Sequence, residues 1–168
     1  PVRSVQASDY GNPVSYTPED RPTNALDGSL RTAWKVGAFD EVRGEYLRVE
    51  LASAIELSSL TVWQPQGFID NRWITRLTVR FSDGSSETYA LDDASRGADG
   101  QVLTFSSRVV GWVDLVVDNT NLPKLPSYPG VSPVGFAEVA FGDPGDGAYR
   151  FGEDPLVVDE TVRLPIDA

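Results

Sequence analysis

The sequence predicts an all-β domain, a jelly-roll β-sandwich of two antiparallel sheets. Three observations lead to this fold class. Apolar and polar residues alternate in several separate segments, which is typical of strands with one buried face. Twelve Pro and fifteen Gly among 168 residues indicate many turns. Apolar residues make up 40% of the chain, which is enough to bury the core of one domain.

Four segments carry the alternation, and each is expected to form a strand. The apolar side chains expected on the buried face are, in chain order, Leu47, Val49 and Leu51; Leu77, Val79 and Phe81; Val113, Leu115 and Val117; and Ala137, Val139 and Phe141. The residues between them are expected on a polar face. Glu138 is one of these, and the residues alone leave open whether its carboxylate binds a cation or is solvated.

Turn residues separate these strands. Asp83-Gly84 lies between two alternating runs and predicts a hairpin with a type I′ turn, because Asp-Gly accepts positive φ angles. Helix is expected only as a turn near 22–26 and another near 92–96. The domain is expected to span residues 1–142. Residues 143–168 then read as a linker and an extra C-terminal strand, or as the start of a next domain.

Composition excludes several functional classes. The net charge is −11, which disfavours nucleic acid and anionic lipid as partners. No apolar run approaches the length of a membrane span, so we expect no direct membrane insertion. The chain has no Cys and no His, which excludes thiolate and His-ligated metal sites and a Ser-His-Asp triad. These absences favour a binding function over catalysis. The chain starts at Pro1, and we expect it to be a piece of a longer protein.

The segment 21–34 combines an apolar anchor, a carboxylate, a glycine turn, a hydroxyl and an aromatic ring. A tight loop at Asp27-Gly28 can turn several carbonyl groups inward, while Asp27 supplies a negative oxygen. Hard cations such as Ca²⁺ bind several oxygen ligands, of which few are charged. The segment therefore predicts a calcium site on a β scaffold. The alternative, that Asp27 only shapes a turn, stays open on the residues alone.

Several short motifs follow one another in a fixed order over roughly residues 5–142. They are Ala7-Ser8, Asn24-Ala25-Leu26-Asp27-Gly28, Thr32-Ala33-Trp34, the strand at 44–51, Phe81-Ser82-Asp83-Gly84 and Val134-Gly135-Phe136-Ala137-Glu138-Val139. In this order the chain resembles the discoidin, or coagulation factor 5/8 type C, family. That family includes the galactose-binding-like family 32 carbohydrate-binding modules.

The resemblance implies a jelly-roll sandwich with a structural Ca²⁺ ion. The ligands that it implies are the carbonyl groups of Asn24, Ser29 and Ala137, the carboxylates of Asp27 and Glu138, and both oxygens of Thr32. It also implies a glycan site among the loops at one end of the sandwich. The usual His of that site is missing here, so a specificity for galactose does not transfer.

The candidate glycan loop is 64–73, which carries amide, carboxylate, guanidinium and aromatic groups together. Sugars need this mixture, because their hydroxyls bind donors and acceptors while their C–H faces pack on aromatic rings. The candidate carbohydrate-binding residues are Gln64, Asp70, Asn71, Arg72, Trp73 and, in the loop 122–133, Tyr128. Loop 35–44, with Lys35, is expected nearby. Trp63 and Trp73 can each serve as a sugar platform or as core packing.

A narrower resemblance links the Arg-rich, Lys-poor composition and the tail 160–165 to the actinobacterial cell-wall arabinofuranosyltransferases. It implies an extracytoplasmic, cell-envelope location and arabinan as the ligand. The leading hypothesis is a non-catalytic, calcium-stabilised carbohydrate-binding module whose partners are a glycan and neighbouring domains. The first alternative is a protein–protein or interdomain docking module. The second is a glycosidase or lyase that pairs Asp70 with Asp40 or Glu41.

Overall fold

Nine strands are present in the computed structural model, which describes residues 2–38, 41–66, 72–121 and 132–142, and the backbone of 159–162. The strands are β1 (Val2–Ala7), β2 (Trp34–Val36), β3 (Tyr46–Trp63), β4 (Ile74–Phe81), β5 (Ser86–Ala90), β6 (Gln101–Thr120), β7 (Val134–Phe136), β8 (Glu138–Phe141) and β9 (Asp159–Val162). Three short 3₁₀ helices lie at Pro18–Asp20, Pro22–Leu26 and Asp93–Arg96. Within these ranges, no helix is long and apolar enough to cross a membrane.

The strands form a large sheet and a small one. The large sheet has the order β5-β4-β6-β3-β1-β9, and β8 also pairs with β3. The small sheet consists of β2 and β7, which pair antiparallel. All pairs in the large sheet are antiparallel except β1 with β9, where Ser4 lies opposite Asp159. The predicted tail strand thus pairs with the first strand of the domain. The division of the chain at residue 142 stays a prediction.

Two long strands turn the large sheet into a sandwich. The first half of β3 pairs with β1 and with the second half of β6, whereas its second half pairs with β8 and with the first half of β6. The register of β3 with β6 shifts between Glu50 and Ile55, where the strands pass from one layer to the other. Both halves contribute buried side chains to one core cluster. The predicted β-sandwich is therefore confirmed.

The alternating pattern holds in two of the four predicted strands. The inward residues Leu47, Leu77 and Leu115 are completely buried. The pattern fails in β6, where Asp114 and Val116 are buried as well, at 4% and 6% exposure, and in β8, where Glu138 and Ala140 are buried at 3% and 0% exposure. The expected polar side of β8 is covered, because a small cluster that includes Ala33 and Trp63 packs there, so Glu138 is not solvated.

The predicted hairpin between β4 and β5 is present, but its loop is one residue longer than expected. The amide of Gly84 donates to the carbonyl of Phe81 at 3.0 Å, and the amide of Phe81 donates to the carbonyl of Ser85 at 2.9 Å. Gly84 has a φ of +87°. This geometry is that of a three-residue loop with Gly in the left-handed position, rather than a two-residue type I′ turn.

The chain crosses from the small sheet to the large one at Ala137, the single residue between β7 and β8. The amide of Ala137 donates to the carbonyl of Trp63 at 2.7 Å, and Glu138 lies opposite Trp63 in the sheet. On the β7 side, the buried ring of Trp34 stacks on Phe136 with a centroid distance of 6.0 Å. The Trp34 indole donates to the carbonyl of Asp9 at 3.0 Å, which fixes β2 against the first loop.

Candidate functional site

The loop that follows the helix Pro22–Leu26 gathers oxygen atoms around Thr32. Its hydroxyl lies 2.6 Å from Oδ2 of Asp27 and 3.2 Å from the carbonyl oxygen of Ser29. The other carboxylate oxygen of Asp27 accepts from the amide of Ser29 at 2.9 Å. The loop turns at Gly28, whose φ of +77° suits a residue without a side chain. The structure thus brings three of the predicted cation ligands together.

The last strand meets this loop through Glu138. Its Oε2 accepts from the amide of Gly28 at 3.0 Å, so the Glu138 carboxylate contacts the residue that follows Asp27. Ala137 and Asn24 are buried beside them. The Asn24 side-chain amide donates to the carbonyl of Glu19, so its side chain holds the preceding turn. The side chain is therefore engaged, and the backbone carbonyl group of Asn24 is the part that the resemblance implies as a cation ligand.

The loop atoms that could bind a metal ion are hard oxygen atoms, which are the ligands that Ca²⁺ prefers. Among the residues with described positions, no group of three or more Asp, Glu, His or Cys side chains could hold a metal. A cation here would depend on Asp27 and Glu138, together with carbonyl and hydroxyl oxygens. Two carboxylates balance the charge of one divalent ion, so the residues present fit Ca²⁺.

A pocket of about 110 Å³ opens beside β7. Its described walls come from β2, from the end of β3, from the residues before β4, and from β7. They are Lys35, Gln64, Pro65, Gln66, Arg72, Trp73, Pro133, Val134 and Gly135. Predicted site residues Gln64, Arg72 and Trp73 meet here. The pocket lies close to the cation loop, because Gln64 directly follows Trp63, the sheet partner of Glu138.

Gln64 holds the pocket together. Its Oε1 accepts from the amide of Ile74 at 2.7 Å, and its Nε2 donates to the carbonyl of Ile74 and to Oγ of Ser95, both at 2.9 Å. Its side chain is buried, at 3% residue exposure. These bonds tie the end of β3 to the start of β4. The amide is thereby engaged in positioning the wall, and its role as a sugar ligand stays a prediction.

Arg72 is the least satisfied polar side chain of the pocket. The residue is 4% exposed, and neither Nε nor Nη2 has a hydrogen-bond partner in the part of the chain that the structure describes. Its backbone amide donates to Oγ of Ser132 at 2.9 Å, which fixes its position. Burial lowers the pKa of the guanidinium from its ordinary value, and the charge of Glu41 opposes this shift. Burying a charged group without a partner is costly, so this arrangement is unusual for a purely structural residue.

The two tryptophans next to the pocket have different roles. Trp73 is half-buried, and the guanidinium of Arg96 lies 4.2 Å from the centroid of its ring. Its amide donates to Oδ1 of Asn121 at 2.8 Å. Trp63 is buried at 2% exposure, and its indole donates to the carbonyl of Ala98 at 3.0 Å. Of the two possible platforms, only Trp73 reaches the pocket wall.

Sequence reasoning missed part of this site. Lys35 was expected only near it, and Val134 and Gly135 were not expected to line it, whereas Gln66 belongs to the predicted loop 64–73. Gly135 is required by the close approach of β2 and β7, since a Cβ there would lie 1.8 Å from the carbonyl oxygen of Trp34. The close packing of β2 on β7 is what places Gly135 in the pocket wall, and the sequence carries no signal for that packing. Asp70, Asn71 and Tyr128 lie outside the described residues.

Comparison of the sequence finds no matching protein family and no similar curated protein. Comparison of the structure finds carbohydrate-binding modules. One is the family 32 module of AlyQ, in complex with 4,5-unsaturated mannuronic acid, with 16% identity and a TM-score of 0.60 over 84% of this chain and 95% of that one. Another is a pectin-binding module, with 14% identity and a TM-score of 0.58 over 96% and 97% of the two chains.

A third similar structure is the arabinofuranosyltransferase AftD from Mycobacteria. Its identity is 19% and its TM-score 0.63, over 85% of this chain and 11% of that one. The chain thus matches only a small part of that enzyme. The protein has the β-sandwich fold of carbohydrate-binding modules. At these identities the likeness shows the fold alone, and the function has to be argued from the pocket.

Proposed function

We propose that this domain is a non-catalytic carbohydrate-binding module that binds a glycan in the pocket next to β7. The observation that carries the proposal is Arg72, which forms part of the pocket wall with two buried N–H groups that have no partner among the described residues. A bound ligand would supply the missing acceptors. The sandwich fold shared with modules that bind alginate-derived and pectic sugars supports a glycan as that ligand.

The walls of the pocket suit one or two sugar units. Trp73, Pro65 and Pro133 provide apolar surface for the C–H faces of a ring. Arg72, Lys35 and Gln66 provide donors for its oxygens. The pocket is small, so we expect weak binding with a Kd on the order of 1 mM, which is about −4 kcal/mol. Useful avidity then comes from linkage to other modules or domains.

A Ca²⁺ ion held by Asp27, Glu138 and the oxygens of Ser29 and Thr32 is part of the same proposal. The convergence of Asp27, Ser29 and Thr32 oxygens supports it. The ion would be structural and would bind the first loop to the last strand. It would not contact the glycan, and none of the proposed pocket residues depends on it for its hydrogen bonds.

The match to AftD and the tail at 160–165 support a place in a larger cell-envelope glycosyltransferase. In that setting the module would be extracytoplasmic, with neighbouring domains of the parent protein as partners. Arabinan is then the first neutral glycan to test.

Titration with a panel of glycans, followed by NMR, tests the proposed function. The panel contains arabinan, galactan, pectic and alginate oligosaccharides. We expect shifts of the backbone amides of Gln64 and Gln66, of 72–73 and of 134–135, with residues of the β4–β5 hairpin as the internal control. Trp73→Ala should weaken binding, and Trp112→Ala, on the other side of the sandwich, should not. Unchanged pocket amides throughout the panel would overturn the proposal.

A further inference from the structure

The unpartnered edge of Arg72 has the shape that a carboxylate fits. Nε and Nη2 lie on the same side of the guanidinium, and their N–H bonds are parallel. In Arg72 both atoms are shielded from solvent and have no acceptor among the described residues. Arginine stays protonated in proteins, so the edge is positively charged. Among the described residues the edge has no hydrogen-bond acceptor, and the charge of Glu41 acts on the guanidinium without a bond to this edge.

A second arginine of the same protein shows what this edge binds. Nε of Arg48 donates to Oδ1 of Asp114 at 2.6 Å, and Nη2 donates to Oδ2 at 2.8 Å. This bidentate pair uses the same two nitrogens that are unused in Arg72. The pKa of Arg48 is raised, chiefly by the hydrogen bond to Asp114. In Arg72 the pKa is instead lowered by burial, and the charge of Glu41 only opposes this shift.

The charges of the pocket wall also favour a carboxylate ligand. Its described residues include two cations, Arg72 and Lys35, and no carboxylate. Lys35 Nζ lies 3.0 Å from Asp20 Oδ1, so its charge is partly balanced, and Arg72 is the cation that remains available. The protein as a whole carries a charge of −11, which repels polyanions over most of its surface. The described wall of this pocket is locally cationic and so suits an anion in spite of the net charge.

We propose that the pocket selects glycans that carry a carboxylate, that is, uronic acid units, and that Arg72 binds this carboxylate through Nε and Nη2. This inference rests on the proposed function, since it concerns the same pocket. The guanidinium has to rotate to present the shielded edge to the ligand. That rotation breaks no hydrogen bond, because the edge has none in the described structure.

The test compares an acid with its ester. Trigalacturonate and its methyl ester have the same sugar backbone, but the ester lacks the negative charge and part of the acceptor capacity and carries one added methyl group per carboxyl group. We expect the acid to bind about ten- to hundredfold more tightly, as a charge-assisted bidentate contact implies. Galactose 6-sulfate should bind more weakly than galacturonate. Equal affinity for acid and ester, or for the sulfate and the uronate, would overturn the inference.

Variants test the role of Arg72. Arg72→Gln should abolish the preference for the acid over the ester, and Arg72→Lys should retain only part of it, because Lys keeps the charge but lacks the fork. Arg80→Gln is the matched control, since it removes the same charge from an exposed position on β4. Retained preference in Arg72→Gln, or equal loss in Arg80→Gln, contradicts the assignment.

The inference and the proposed function fail in distinguishable ways. Binding of arabinan or other neutral glycans with no preference for the acid refutes the inference and leaves the proposed function in place. Absence of binding to every glycan refutes both. Should Arg72→Gln not fold, the acid and ester titrations of the unmodified protein still decide.

Discussion

The backbone amide of Gly28 donates to Oε2 of Glu138 at 3.0 Å and so joins two segments 110 residues apart in the sequence. Gly28 belongs to the first loop of the sandwich, and Glu138 begins β8. The same loop brings the oxygens of Asp27, Ser29 and Thr32 close together. A cation at this place would add strong contacts to a connection that already closes the domain.

Calcium should stabilise the protein against heat. At a Ca²⁺ concentration about 100 times the Kd, the gain is about 2.7 kcal/mol, which raises the Tm by about 5–10 °C for a chain of this length. Thermal unfolding with and without EDTA measures this shift. Asp27→Asn and Glu138→Gln should reduce it, whereas Asp99→Asn, an exposed control, should not. An unchanged Tm in millimolar Ca²⁺ would refute the calcium site.

Replacing Arg72 by Met should stabilise the protein in the absence of ligand. The substitution keeps an unbranched apolar stem and removes a buried charge that has no partner in the described structure. We expect an increase of about 1–3 kcal/mol in the free energy of unfolding. Urea denaturation measures it. Arg48→Met, which breaks the pair with Asp114, should have the opposite effect. A loss of stability in Arg72→Met would assign the side chain a structural role.

Gly135→Ala should weaken the contact between β2 and β7. The new Cβ would lie 1.8 Å from the carbonyl oxygen of Trp34, so one strand has to move. We expect a loss of about 1–3 kcal/mol, as for other overpacked positions. Gly111→Ala is the control, because the nearest atom to its Cβ is 3.9 Å away. Equal stability of the two variants in urea would show that β2 and β7 are less tightly packed.

Removing Asp114 should cost more than removing Asp118. Both residues are on β6 and pair with arginine, but the side chain of Asp114 is 6% exposed and that of Asp118 is 31% exposed. Asp114→Ala should lower the stability by about 1–3 kcal/mol, and Asp118→Ala by less than about 1 kcal/mol. Calorimetry or urea denaturation distinguishes them. Similar losses would mean that burial does not set the strength of these pairs.

Much of the fold could be predicted from local patterns. The alternation of Leu47, Val49 and Leu51 identified β3, and that of Leu77, Val79 and Phe81 identified β4, because each strand has one face in the core. The pattern misled at Glu138, whose strand is covered on both sides. The position of the hairpin was predicted correctly, but its loop type was not. The loop type depends on the last pair of residues bonded between the strands, which is Phe81 with Ser85.

The candidate site was predictable only in part. Gln64, Arg72 and Trp73 were singled out by residue type, and the structure brings them to one pocket. Residue type alone does not separate their roles. Hydrogen bonds to Ile74 and Ser95 assign Gln64 to positioning, whereas buried N–H groups without a partner among the described residues make Arg72 the binding candidate. Such differences depend on neighbours that are distant in the chain.

The sequence by itself determined that the protein is a sandwich of strands, since burial of one face imposes a period of two that is visible in the order of residues. It also determined the loop of oxygen donors, because those residues are close along the chain. Only the tertiary structure decided that β2, β7, the residues after β3 and the residues before β4 enclose one pocket, and that Arg72 is buried there unpaired among the described residues. Hydrogen-bond satisfaction is a property of three-dimensional neighbours, which no local pattern encodes.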